Sequence, residues 1–471
     1  MAPKFAVLDG ELLSKFAVLD DDNTKVTDPS ATRFANRLDE KLANSLAAAL
    51  PGGTPRQVRL PHTVPNKATA VIGMRRAGKT TFLHQLRRQR LAAGTPREWL
   101  PYINFEDEQL VGLEAHHLTL LVDAFYRRFP ALRAKERVTW CLDEIQIVPG
   151  WERFVRRLLD EERVEVFLSG SSARMLSREI ATSMRGRAWE VVIHPFSFEE
   201  FLHHHNHRRP ERPDLLDAPT RSHLENWLLE YLVVGGFPEA QSLELESRHR
   251  LLRDYVDVVM MRDVIERHQV GNVVVLRSLV RQLLANAGGS FSVEKFHAAS
   301  KSQGLKVAKE TVHELVAHLE DCYLVRSLYV DTDSERRRMV NPRKVYPIDP
   351  GLIPVFDRVG KPNLGHALET VVLIELERRG RQITYVRNPS GTEVDFMARS
   401  ARGDELIQVC ADARDPATME RELRGLDEAG STYPRARRRL LVAMREGLPG
   451  QVPSGVVAQT VSEWLLMPDG D

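Results

Sequence analysis

Cysteine is nearly absent from these 471 residues. The three that occur, Cys141, Cys322 and Cys410, stand far apart without paired CxxC spacing, so neither a disulfide framework nor a cysteine zinc site is expected. No apolar run approaches the ~18 residues that a membrane span needs. The first residues, Met1-Ala2-Pro3-Lys4, soon meet Asp9 and Glu11, without the long apolar core and small-residue cleavage site of a signal peptide. A cytoplasmic protein with no membrane partner is the expectation. Net charge is also scarce, at +1, so any contact with nucleic acid has to come from a local basic patch.

What is present is the composition of a soluble globular chain, 42% hydrophobic and 28% charged, long enough for several domains at ~150 residues each. Residues 1–60 read as an N-terminal extension. In it Lys4-Phe5-Ala6-Val7-Leu8-Asp9 recurs as Lys15-Phe16-Ala17-Val18-Leu19-Asp20, and a helical stripe of Phe34, Leu38, Leu42, Leu46 and Leu50 precedes Pro51-Gly52-Gly53. That stripe reads as packing. From 61 to 200 short apolar strands, at Ala68 to Ile72, Tyr102 to Phe105, Val138 to Leu142 and Val164 to Ser169, alternate with amphipathic helices, as in a parallel α/β sheet. Residues 201–272 turn helical.

Residues 273–350 look like a winged helix. A helix through Leu276, Leu279, Val280, Leu283 and Leu284 ends at Gly288-Gly289, Ser292 caps a second, and a third follows at Val307 to Glu320. Two strands, Leu324 to Val330 and Lys344 to Ile348, then flank a charged turn. Residues 351–471 form a second α/β unit, with a helix at Ala367 to Arg378 and strands at Ile383 to Val386, Val394 to Ala398 and Leu406 to Val409.

The first of these regions carries the chemistry. Gly73-Met74-Arg75-Arg76-Ala77-Gly78-Lys79-Thr80, followed by Thr81, is a complete phosphate-binding loop between an apolar strand and a helix. Its glycines let backbone N–H groups of residues such as Arg75, Arg76 and Ala77 converge on phosphate oxygens. Lys79 supplies a charge for the β- and γ-phosphates of ATP, and Thr80 a ligand for Mg²⁺. Downstream, Leu142-Asp143-Glu144 ends a strand in two carboxylates. Asp143 would hold Mg²⁺, and Glu144 would act as the general base that polarises the attacking water. The strand after it runs into Ser169-Gly170-Ser171, where Ser171 is the expected sensor of the γ-phosphate. Arg187, of Arg185-Gly186-Arg187, is the expected guanidinium for transition-state charge, on its own or a neighbouring subunit's nucleotide.

Together these motifs resemble the archaeal-type P-loop ATPases of the STAND branch of AAA-related proteins, the group with domain of unknown function 4143. The likeness rests on Gly73 to Thr80, Leu142-Asp143-Glu144, Leu168-Ser169-Gly170-Ser171, Met184-Arg185-Gly186-Arg187, Pro195 to Phe201 and Gly235-Gly236-Phe237-Pro238, in that order, and spans roughly 61 to 430. It implies a P-loop core, a helical lid over 201–272, a winged helix and a C-terminal restriction-endonuclease-like domain. It also implies a nucleotide-dependent switch in which Gly236 and Pro238 of the lid contact the nucleotide. Arg262-Asp263 matches too and reads as structural.

A nuclease of that type needs a helix Glu, an Asp and an acidic-x-Lys strand around Mg²⁺. Here Glu369 and Asp395 are present, but the third element reads Gln408-Val409-Cys410, so cutting is not expected and the domain reads as a binding or docking platform. In residues 273–350, 12 Lys plus Arg stand against 9 Asp plus Glu. Arg336, Arg337 and Arg338, with Arg343 and Lys344, are placed where a wing could lie on DNA phosphates. Lys301, Lys306 and Lys309 point the same way. The function expected is an ATP-hydrolysing switch acting on or near DNA. The alternatives are an ATP-gated, Mg²⁺-dependent DNase and a non-enzymatic scaffold whose assembly with a protein partner or with its own copies is set by nucleotide.

Overall fold

The computed structural model describes residues 29–60, 64–133, 135–170, 184, 186–357, 363–411 and 415–468. The duplicated segment before Pro29 and Ser171 lie outside them. Among the described residues the chain forms three sheets.

The first is a five-stranded parallel sheet of β1 (Ala68–Ile72), β2 (Tyr102–Asn104), β3 (Val138–Asp143), β4 (Val164–Ser169) and β5 (Ala188–Val192), in the order β2-β3-β4-β1-β5. Crossover helices cover both faces, so the central strands are apolar throughout; every residue of β3 is buried. The helices of this part are α1 (Pro29–Ala47), α2 (Lys79–Ala92), α3 (Leu118–Arg128) and α4 (Trp151–Glu161). Phe34, Leu38 and Leu42 of α1 join one apolar core with β1, β3 and α3, each worth about 1.5–3 kcal/mol when fully buried. The first described helix is thus part of this core and not an appendage to it. Register puts Asn104 opposite Asp143, Leu142 opposite Leu168 and Val71 opposite Ser169, so the carboxyl ends of the strands meet along one edge.

A helical segment follows, of α5 (Phe198–His204), α6 (Ala218–Val234), α7 (Leu245–Val258) and a π-helical stretch over Val259–Ile265. Ser197 starts α5 with a capping box closed by Glu200.

The next unit runs helix, strand, two helices and two strands: α8 (Val273–Ala285), β6 (Ser290–Phe291), α9 (Val293–Ser302), α10 (Lys309–Asp321), β7 (Val325–Leu328) and β8 (Arg343–Pro347). Its strands form an antiparallel sheet in the order β6-β8-β7. Ser292 caps α9 through the Lys295 N–H. The charged segment between β7 and β8 is not an open turn. It forms the short helix α11 (Glu335–Val340), because Ser334 accepts the Arg337 N–H and so caps it.

The C-terminal domain is a separate mixed sheet, β13-β12-β11-β10-β9, of β9 (Gln382–Arg387), β10 (Glu393–Arg399), β11 (Glu405–Cys410), β12 (Arg437–Val442) and β13 (Val456–Thr460). Pairing is antiparallel from β9 to β11 and parallel from β11 to β13. Helix α12 (Leu364–Arg378) and the terminal α14 (Val461–Leu466) pack on one face, and α13 (Pro416–Thr432) covers the other. The chain after β7 joins this sheet, since Asp331 donates its N–H to Tyr385 at 2.7 Å and Tyr385 donates to Tyr329 at 3.0 Å.

Candidate functional site

The loop between β1 and α2 turns on two glycines with positive φ, Gly73 at 139° and Gly78 at 103°. A Cβ on Gly73 would lie 2.2 Å from the Ile193 carbonyl oxygen, and one on Gly78 would lie 3.0 Å from the Arg56 guanidinium. Only glycine fits, through both conformation and close approach. Lys79 is buried at the start of α2, where its ammonium donates to the carbonyl oxygens of Gly73 and Met74 at 3.1 Å each. Burial lowers its pKa, against the pull of Glu144 and Asp143. Ala77 is buried, Thr81 half-buried and Thr80 exposed.

Arg56 braces this loop from behind. Its guanidinium donates to the Ala77 carbonyl at 2.7 Å and pairs with Glu200 at 3.1 Å. Its backbone N–H donates to the Gln85 side chain at 2.7 Å, and the Gln85 amide returns a bond to the Arg56 carbonyl at 3.0 Å. Nothing local in the sequence marked this residue, whose partners are scattered over more than a hundred positions. Glu200 belongs to the Pro195-to-Phe201 motif, so that motif serves as the loop's support.

At the end of β3, Asp143 is fully buried. The Tyr102 hydroxyl donates to one of its oxygens at 2.7 Å and the Ser169 hydroxyl to the other. Burial, and then the Asp143 charge, raise the Tyr102 phenol and keep it a donor. Ser169 also accepts the Glu144 N–H at 2.9 Å, so it fastens both acidic residues, a role sequence reasoning passed over in favour of Ser171. Glu144 adopts a left-handed φ of 53°, and Gln146 donates to its carboxylate at 2.5 Å. Burial raises the Glu144 pKa and the Asp143 charge adds to this, against Lys79, Gln146 and Arg75. A carboxylate of raised proton affinity beside a lysine suits a general base. The exposed Thr80 hydroxyl and the Asp143 carboxylate offer the hard oxygen donors that Mg²⁺ takes.

The helical segment reaches the loop through ion pairs. Arg75 donates to Asp263 at 2.9 Å and lies 3.6 Å from Glu106; Arg76, at a positive φ of 65°, lies 3.3 Å from Glu239. Asp263 thus pairs with the phosphate loop itself. Glu239 directly follows Pro238, which begins a 3-10 turn. Both backbone polar groups of Gly236 are taken within the fold: its N–H donates to Asp349 at 2.6 Å and its carbonyl accepts the Phe196 N–H at 2.6 Å. A Cβ on Gly235 would stand 1.9 Å from an Asp349 oxygen, so the glycine pair is a closely packed turn.

Arg187 is not brought to the site. Its carbonyl accepts the N–H of Ala68, the first residue of β1, which places it at the opposite end of the strands from Gly73. Its guanidinium pairs with Asp160.

A second polar cluster joins β8 to the C-terminal domain. Lys344 is buried, 3.2 Å from Asp395 and 3.4 Å from Glu393, so the expectation that it meets DNA is corrected: its ammonium is spent inside the fold. Burial lowers its pKa, but Asp395, Glu369 and Glu393 more than reverse this. Tyr346 donates to Glu369 at 2.9 Å, and the Gln408 amide donates to Asp395 at 2.8 Å and to Glu422 at 2.7 Å. Burial and Asp395 push Glu369 up to about 8. Among the described residues no group of three or more His, Cys, Asp or Glu is arranged to hold a metal. Arg336, Arg337 and Arg338 are exposed on α11, while Arg343 is half-buried and lies over the Tyr329 ring.

Residues 65–202 match the model of an AAA domain, and 225–362 match a domain of unknown function (DUF8612), where domain 4143 was expected. The chain is 33% identical over 374 residues to the uncharacterized protein MJ1544 of Methanocaldococcus jannaschii, spanning 78% of this chain and 79% of that protein. An uncharacterized protein of Haemophilus influenzae is 28% identical over 342 residues, 72% of this chain and 80% of its own. Among solved structures, the Walker-type ATPase PABY2304 of Pyrococcus abyssi is similar at 15% identity, over 68% of this chain and 94% of that one, with a TM-score of 0.34.

Proposed function

Since this chain belongs to the AAA-domain P-loop family that includes MJ1544, we propose that it binds ATP at Gly73 to Thr81 and hydrolyses it slowly, as a switch of the STAND type acting on or near DNA. The observation that carries the reading is the convergence of Lys79, Asp143 and Glu144, with Ser169 tying the Asp143 carboxylate to the Glu144 backbone N–H. In this account Lys79 holds the terminal phosphates, Glu144 takes the proton of the attacking water, and Asp143 with Thr80 holds Mg²⁺. The ion, when bound, neutralises charge on the β- and γ-phosphates. The pairs Arg75–Asp263 and Arg76–Glu239 support a lid over 201–272 that feels the loop.

DNA contact rests on the unit at 273–350, which we read as a winged helix from its order of elements, and on exposed Arg336, Arg337 and Arg338. We read the C-terminal domain as a restriction-endonuclease-like docking platform. ATP turnover measured with and without single- and double-stranded DNA tests this; DNA should raise turnover, and an unchanged rate would take DNA off the functional path. One observation favours the DNase alternative, since Lys344 supplies beside Asp395 the lysine that β11 lacks. Mg²⁺-dependent plasmid cutting that Asp395→Ala abolishes would establish it. Tight ATP binding without turnover would favour the scaffold.

A further inference from the structure

Asp263 sits on the π-helical stretch Val259–Ile265. Such π-turns are rare, and they are frequent at functional sites. Its carboxylate is buried, yet it is spent on Arg75 of the phosphate loop, at 2.9 Å. Arg75 also faces Glu106, at 3.6 Å. Its charge acts on Glu144, the proposed base, and that of Asp263 acts on Lys79. Asp263 thus brings a negative charge to the side of the loop where a third phosphate would sit, against the two cations that would bind it. The π-turn also packs against α10, whose C-terminal cap is Cys322.

We infer that Asp263 is the internal anion that the γ-phosphate of ATP displaces from Arg75, so that this pair distinguishes ATP from ADP and passes the difference to α10. A guanidinium holds a phosphate and a carboxylate through the same planar fork, so the two anions compete for it. ADP lacks the phosphate on the Glu144 side and leaves the pair closed. Release of Asp263 frees the π-turn to shift against α10, which links phosphate occupancy to the unit at 273–350. The inference rests on the reading of Gly73 to Thr81 as an ATP site.

The test is the ratio of ATP to ADP affinity, read with fluorescent nucleotides on the full chain. Asp263→Asn removes the competing charge, and ATP should then bind about tenfold tighter while ADP changes little. Arg75→Gln, at a half-exposed position, should bring the ratio towards one, and the double variant should match it. Hydrogen exchange over residues 309–321 should rise on ATP addition in the wild type and be insensitive to nucleotide in Arg75→Gln. If Asp263→Asn does not fold, Arg75→Gln alone decides through its ratio and exchange. Equal shifts for ATP and ADP in Asp263→Asn, or an unchanged ratio and exchange response in Arg75→Gln, would overturn the inference. Wild-type protein that binds neither nucleotide would instead sink the ATP-site reading beneath it.

Discussion

At Asp349 a single carboxyl group fastens segments 113 residues apart, accepting the Gly236 N–H at 2.6 Å on one oxygen and the Gly351 N–H at 3.0 Å on the other. Burial pushes it up to about 7, against the pull of those two donors. The unfolded chain has a carboxyl near the ordinary value of 3.8, so between these values the folded state holds a proton that the unfolded state has lost. Stability should therefore fall as pH rises through that window and level off above it. Asp349→Asn would point an amide N–H at a backbone N–H, costing about 1–3 kcal/mol at pH 5, and would flatten the slope. Denaturant unfolding at pH 5 and pH 8 checks this; the same slope in both proteins would place the titration elsewhere. Asp263, Arg56 and Lys344 share the feature that hides Asp349 from sequence reading. Each pairs with a charged partner 51 or more positions away, Asp263 with Arg75, Arg56 with Glu200 and Lys344 with Asp395, and such pairs leave no local spacing to recognise.

Elements were legible where burial is two-sided or a cap is explicit. β1, β3 and β4 are apolar runs that end in the loop, the carboxylate pair and the serine, so strand and site announce each other. β5 was missed because it is an edge strand with Trp189 and Glu190 exposed, and a short sequence broken by Glu190 does not read as a buried parallel strand. α11 was read as a turn because Glu335-Arg336-Arg337-Arg338 carries no apolar stripe, although the Ser334 cap was there to be seen. A helix spreads these three side chains around its axis, so they do not all face one phosphate backbone. If α11 lies on DNA, changing all three arginines to alanine should flatten the dependence of log affinity on log salt by about three units at most. ATP hydrolysis without DNA should be unaffected. The same affinity and slope in wild type and variant would remove α11 from the interface.

At the scale of the whole molecule, charge pairs join the units, and two of these junctions lie beside the sites described above. Arg75 and Arg76 tie the phosphate loop to the helical segment, and Lys344 ties β8 to Asp395 in the C-terminal sheet. Breaking a buried pair by removing one partner typically costs about 3–5 kcal/mol, so the second junction is a firm one, whereas the first is, on our inference, the one that phosphate competes for. The proposed switch needs a fixed joint at one end and an exchangeable one at the other. Central to the proposed function is hydrolysis at the end of β3. The most direct test is Glu144→Gln, with nucleotide binding and steady-state turnover measured on the same preparation. ATP should bind with affinity close to that of the wild type, because Lys79 and the loop are untouched, while turnover should fall by about 10²–10⁴-fold as the base is lost. Turnover near the wild-type rate in a variant that still binds ATP would contradict the account.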